Sequence, residues 1–274
     1  MMADENATDR MPAGRPTNGR RAISALLPIA TMILSLLGLC LVWSVGATIW
    51  PSRVLPPPTD VWRTIVVELA SGDLAFHLMM TLLRVAAAYV IAMAVGTVVG
   101  IVLGRRRRLN SFFDPWLVLF LNIPALVIII LAYIWFGLTE AAAISAVAIN
   151  KIPNVVVTMR EGARALDDRF MEMASVYRLS TVDRIRHVLS PQLQPYFAAA
   201  SRSGIALIWK IVLVVELLGR SNGVGFQIYL YFQIFDVAGI LAYTLAFVSV
   251  MLMIELLLVQ PIEHRATRWR RRAA

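Results

Sequence analysis

The chain has 274 residues, 59% of them hydrophobic and 16% charged, with a mean hydropathy of +0.71 and a formal net charge of +9 at pH 7. Too few polar groups remain to cover a soluble globule of that length, so the composition predicts an integral membrane protein of the all-α class, built from apolar runs of about 20 residues. The single cysteine, Cys40, excludes an internal disulfide and leaves the redox compartment open.

Residues 1–22 are rich in small, polar and charged side chains, end in Arg20 and Arg21, and predict a disordered cytoplasmic tail. The membrane region is expected over 23–260. Its first apolar run, 23–50, is longer than a signal-peptide core and shows no small-residue cleavage site, so it reads as a retained helix. Pro56, Pro57 and Pro58 stiffen an extended approach to a helix capped by Thr59 or Asp60, with Trp43, Trp50 and Trp62 around it as an interfacial belt. The second span, 77–104, stops at Arg105, Arg106, Arg107 and Arg108. Directly after an apolar helix, such a block is a topology signal rather than a nucleic-acid site.

The third span, 112–136, holds Asn122 and Pro124 near its middle. Proline removes a donor and bends the helix, and protein or water must then satisfy the freed carbonyl, so this is either a pathway-lining kink or a packing kink. Residues 137–140 make a tight outer turn. The fourth span, 141–159, is interrupted by Asn150, Lys151 and Pro153. The fifth, 196–218, carries Arg202, Lys210 and Glu216, charges that at membrane depth must face a partner or a cavity. Two roles stay open for the cations Arg84 and Arg202: lining a path for an anion, or a structural place near helix ends or beside Glu216 or Asp114. Gly219, Gly223 and Gly225 predict a flexible external segment, without the strand a nucleotide fingerprint requires. The sixth span, 237–259, has Glu255 near its inner end, and a basic tail follows over 261–274.

Cation placement orients these spans. With both termini inside, the inner segments hold Arg20, Arg21, the Arg105 block, the cations from Lys151 to Arg186, and five tail arginines, against Arg53, Arg63 and Arg220 outside. That asymmetry satisfies the positive-inside rule and predicts six transmembrane helices with both termini cytoplasmic.

Between the fourth and fifth spans lies a polar stretch, 160–195. Leu166, Phe170, Met173 and Tyr177 recur at helical spacing, with Arg164, Asp168 and Glu172 on another face. Ser180 and Asp183 form a capping box, and Pro191 is expected to end the second of two short helices at about Ser190. The stretch resembles the EAA loop of bacterial ABC importer permeases. Glu172, Met173 and Ala174 stand at the E-A-A positions, and Val188, Leu189, Ser190 and Pro191 at the closing element. Arg178 replaces the family glycine, which predicts a more helical bend. LPPPTDVWRTIVVELASGDLAFHLMMTLLRV (55–85), LAYIWFGLTE (131–140) and VVELLGRSNGVGFQI (214–228) are similar to the nitrate, sulfonate, taurine and bicarbonate group of that family. Lys151 and the missing prolines around Asn122 and at Ile130 depart from it.

The resemblance implies the type I ABC importer permease fold, with residues 160–195 as a coupling loop against cytoplasmic ATPase subunits. It also implies a periplasmic solute-binding protein and a second permease copy, by default identical. Glu172, Met173, Ala174, Arg178, Ser180 and Pro191 would serve the loop. Asn122, Pro124, Lys151, Arg202, Lys210 and Glu216 are the candidates for the translocation path of a small solute, with an organic or inorganic anion such as sulfonate, taurine or nitrate favoured and a pyrimidine vitamin precursor as the alternative. The chain has no G-x-x-x-x-G-K-[ST] loop, so ATP hydrolysis would fall to a partner, and no cofactor is called for. An ATP-independent secondary transporter would use the same charges but would usually show an internal repeat, and none is clear. A membrane enzyme is the weakest reading, because His77, His187 and His264 are scattered.

Overall fold

A computed structural model describes residues 18–49 and 54–261 of the chain. The expected tails therefore lie largely outside the described residues, although the first helix already begins at Asn18. The chain divides into two compact units, Met1–Pro58 and Thr59–Ala274. In the first, α1 (Asn18–Ile49) carries the apolar stretch Leu34–Ile49, and the Trp43 indole donates to the Pro56 carbonyl at 3.0 Å.

The second unit is all helix among the described residues. After α2 (Pro58–Ser71) come α3 (Asp73–Arg105), α4 (Arg107–Asn122), α5 (Ala125–Phe136), α6 (Glu140–Arg164), α7 (Asp168–Val176), α8 (Thr181–Gly219), α9 (Val224–Gln233) and α10 (Val237–Ile254). The helix α2 opens on Pro58 itself, whose fixed φ suits a first helical turn, rather than on a Thr59 or Asp60 cap. Among the described residues four helices, α3, α6, α8 and α10, are long and apolar enough to cross a membrane, and a fifth span results if α4 and α5 count as one.

The helices α3, α6 and α8 form the core. On α3, Gly96, Gly100 and Gly104 repeat every fourth residue and face Val155, Met159 and Ala163, which repeat likewise on α6. A methyl added at any of the three would come within 2.7 Å of the facing β-carbon. Two backbones thus approach along a stripe without side chains, where dispersion contacts replace the hydrophobic drive that lipid does not provide. The pairing runs in the same sense along both chains, so α3 and α6 are parallel. The helix α8 runs against them, its Tyr196 meeting Gly162 and its Gly204 meeting Lys151 and Tyr89.

Two expectations need correction. The third span is not a kinked rod: α4 and α5 meet at 95°. Ile123, held extended at ψ 125 by the following proline, ends α4, while the Pro124 carbonyl accepts from Val127 to begin α5. Asn122 folds back, its amide donating to the Val118 carbonyl at 2.7 Å. Nor does Pro191 stop a helix at Ser190. The segment from Thr181 runs on to Gly219 through a widened π-helical turn at Arg184–Leu189. In a regular α-helix the Pro191 ring would meet the His187 carbonyl, and the wider turn displaces that carbonyl and lets the helix continue.

Candidate functional site

The polar stretch between α6 and α8 carries a short helix, α7, capped at both ends. Asp167 caps α7 by accepting from the Arg169 amide at 2.9 Å, and its own amide donates to the Gln192 side chain at 3.0 Å. At the other end the Leu179 amide reaches the Ala174 carbonyl at 2.9 Å and the Arg178 amide the Ser175 carbonyl at 3.0 Å. This paired closure, a Schellman motif, requires a left-handed residue at its corner, and Arg178 supplies it at φ 50°. The expectation of a more helical bend is therefore wrong: arginine adopts the conformation glycine would take. Ser180 then caps α8, accepting from the Asp183 amide at 3.2 Å as the sequence predicts.

The apolar stripe falls out differently from its spacing. Because α7 begins only at Asp168, Leu166 lies before it and is buried, while Ala174 is the buried residue of α7 itself. Phe170 (50% exposed), Met173, Val176, Tyr177 (74%), Val182 and Ile185 are left uncovered by the chain, with Glu172 exposed among them. Six large apolar side chains are thus exposed along a polar turn. Pro191 is exposed and lines a groove of about 620 Å³ with Thr97, Met159 and Leu189.

At the far ends of the core helices lies a buried ionic cluster. Arg84 of α3 donates to Glu216 of α8 at 2.6 Å, to both carboxylate oxygens of Glu140 on α6 at 2.6 and 2.9 Å, and to the Asn222 carbonyl at 2.9 Å. Glu216 also accepts from the Thr81 hydroxyl and the Gly225 amide, each at 2.9 Å. Arg220 donates to the Leu138 carbonyl at 2.6 Å and pairs with Glu140. The Gly223 amide donates to His77 Nδ1 at 3.0 Å, and His77 Nε2 lies 2.7 Å from the Gln227 side-chain amide. Arg84 and Glu216, 3% and 0% exposed, thus neutralise each other where neither could stay buried alone, while the more exposed Glu140 and Arg220 extend the network outward.

The segment 219–225 is accordingly not the flexible loop its glycines predict. Gly223 sits at φ 110°, and a β-carbon there would fall inside the Glu216 carboxylate, while one at Gly225 would lie 2.8 Å from Glu216 Cβ. These glycines serve close approach to a charged side chain. Beside the cluster, Tyr231 and Tyr243 both donate to Glu68 of α2, at 2.8 and 2.7 Å. Burial, and then the bond to Glu68, raise the Tyr231 phenol above its ordinary pKa and keep it a donor.

The six residues weighed for a pathway divide in two. Glu216 is 0% exposed and Lys151 2% exposed within the single chain. Asn122, Pro124, Arg202 and Lys210 are exposed. Arg202 lies 3.9 Å from Glu255, and the Lys210 ammonium stands 5.5 Å from the Trp209 ring centre. Six residues separate Lys210 from Glu216, which turns them to different sides of α8. Lys151 reaches only the Ser203 hydroxyl, at 3.4 Å, and Ser203 lies on the exposed face of α8 two turns before Lys210. Sequence reasoning missed Thr81, Glu140 and Asn222; only Glu140 carried a signal, as a carboxylate available to match Arg84.

The residues 96–260 match the family described as the binding-protein-dependent transport system inner membrane component. The chain is 30% identical over 203 residues to a permease protein assigned to aliphatic sulfonate transport in Escherichia coli (strain K12), covering 73% of this chain and 77% of that one. It is 28% identical over 198 residues to the nitrate import permease protein of Synechococcus elongatus, covering 69% and 71%. The fold is similar to that of a chain in the MetNI methionine ABC transporter in an inward-facing conformation, with a TM-score of 0.53, 16% identity, and coverage of 72% of this chain and 94% of that chain. With more than half its length matched, the chain belongs to the inner membrane component family of binding-protein-dependent transport systems and is a multi-pass permease subunit of an ABC importer.

Proposed function

We propose that two copies of this chain enclose a translocation path for a small anion, delivered by a periplasmic binding protein and driven by cytoplasmic ATPase subunits that seat on α7 and its flanking turns. The uncovered patch of Phe170, Met173, Val176, Tyr177 and Val182 carries this reading. It is held by two caps and a left-handed corner, so a push on it moves α6 and α8 together rather than deforming a loop. Glu172 sits at its centre as a polar contact for the partner, and Ser180 and Pro191 set the start and path of α8.

Six spans result when α1 and the bent pair are each counted with the four long helices, and both termini then fall on the cytoplasmic side. The parallel run of α3 and α6 supports this orientation, because it puts Arg105 and Arg164 at one membrane face with the start of α8. The absence of a phosphate-binding loop assigns hydrolysis to the partner. For the solute, an anion suits the exposed face of α8, where Lys210, and Lys151 through Ser203, present positive charge. The sulfonate and nitrate relatives agree in charge.

Co-purification with a co-expressed ABC ATPase subunit tests the coupling role. The double substitution F170A/Y177A should leave the permease folded and lose the ATPase, while Glu172→Lys should keep some association but separate hydrolysis from uptake. Undiminished co-purification and uptake in both variants would overturn the assignment.

A further inference from the structure

The helix α4 buries no side chain and packs only lightly on α3. Between them runs a groove of about 420 Å³ lined by Val98, Val99, Val102 and Leu103 of α3 and by Leu109, Phe113, Leu117 and Phe120 on one face of α4. Its lining is apolar throughout, and the 12 residues from Leu109 to Phe120 give it a length of about 16 Å along the helix. One turn beyond Val102 the chain reaches Arg105–Arg108.

The arginines there are not equivalent. Arg105 is paired with Asp168 at 3.2 Å, and the neighbouring Arg164 with Glu161 at 2.9 Å. Arg106, Arg107 and Arg108 are exposed and form no ion pair with any described residue. Three cations without an ion-pair partner thus stand directly before Leu109, the first α4 residue lining the apolar groove. Beside them Phe112, Phe113 and Trp116 stack with ring centres 5.0 to 6.5 Å apart, in the manner of an interfacial aromatic belt.

We propose that this groove and its arginine block bind one anionic glycerophospholipid, an acyl chain lying between α3 and α4 and the headgroup phosphate on Arg106, Arg107 and Arg108. A zwitterionic lipid would fill the groove but leave the cations uncompensated. A free phosphate would satisfy the cations and leave the groove empty. Only an amphiphile with negative charge at one end matches both. The headgroup would stand beside Arg105, whose pairing with Asp168 holds the first turn of α7.

The test uses the full chain, purified, delipidated and titrated in native mass spectrometry with phosphatidylglycerol and with phosphatidylcholine of the same acyl chains. Wild type should retain phosphatidylglycerol at least tenfold better. R106Q/R107Q, which leaves Arg105 and Arg108 as the topology signal, should lose that preference. Val99→Trp, which fills the groove and leaves every charge in place, should lose retention of both lipids. Equal retention of the two lipids by wild type overturns the proposal, as does no retention at all, the outcome expected where a second copy or another helix covers the groove. Full preference in Val99→Trp would reduce the site to surface charge, and displacement of the lipid by inorganic phosphate at equal concentration would make it a phosphate site. Either result also overturns the proposal.

Discussion

Arg84 and Glu216 lie 132 residues apart in the chain and 2.6 Å apart in the fold, their side chains 3% and 0% exposed. The pair joins α3 to α8 at the end opposite α7. Glu140 and Asn222 complete the coordination of the guanidinium, so α6 and the loop after α8 are fixed by the same group. The ends of α3, α6 and α8 that lie away from α7 are therefore pinned together.

Removing one partner of this pair leaves an unpaired buried charge, which is worth about 3–5 kcal/mol against folding. Arg84→Leu should lower the thermal unfolding midpoint of the detergent-solubilised protein sharply. Arg84→Leu with Glu216→Leu should recover much of the loss, because Glu140 retains Arg220. Equal destabilisation by the single and double variants would show that the ion pair is incidental to packing.

The glycines give a second, purely steric prediction. Gly100→Ala would place a methyl 2.7 Å from Met159 Cβ and 2.8 Å from the Val156 carbonyl. Gly225→Ala would collide with Glu216 and the Leu213 carbonyl, neither of which can swing away. Both should destabilise by about 1–3 kcal/mol, the usual range for overpacking. Gly38→Ala, which meets nothing within 4 Å, should leave the melting curve unchanged. Fluorescence-detected size exclusion after graded heating would rank the three.

How much of this was legible in advance follows from the range of each interaction. The apolar runs, the Ser180 cap and the cation asymmetry are local patterns, and the structure's helices begin and end near them. The position of the break at Ile123–Pro124 was readable from proline chemistry, but its 95° was not, because neighbouring helices set the angle. The spacing of Gly96, Gly100 and Gly104 was visible; that Val155, Met159 and Ala163 faced it was not. Glu216 read as a pathway candidate because a buried charge looks functional until its partners are known. The sequence offered Arg84 as one of them, and the structure forms that pair; Thr81 and the Gly225 amide are named by no local pattern.

Arg178 offers a third test. A residue with a side chain in the left-handed region costs about 1 kcal/mol relative to glycine. Arg178→Gly should therefore stabilise the turn by roughly that amount while keeping its two closing hydrogen bonds, provided the guanidinium makes no needed contact. Hydrogen exchange of the Arg178 and Leu179 amides should slow or stay level in the variant. Faster exchange would mean that the arginine side chain, and not the backbone closure, holds the corner.

Lys151 is the last and most discriminating case. Its ammonium has three donors and, among the described residues, one long hydrogen bond, to Ser203. A buried cation so poorly matched is destabilising, and a methionine of similar length would fill the same space against Gly204 and Tyr89 without the charge. Lys151→Met should therefore raise the melting temperature. If the lysine is retained to attract an anion through Ser203 toward the exposed face of α8, the same variant should lower uptake in reconstituted vesicles without lowering stimulated ATP hydrolysis to the same degree. Stability and transport would then move in opposite directions, the signature of a residue kept for function at the expense of the fold. A variant that is more stable and transports normally would remove Lys151 from the path and leave Lys210 as the cation of α8 to examine.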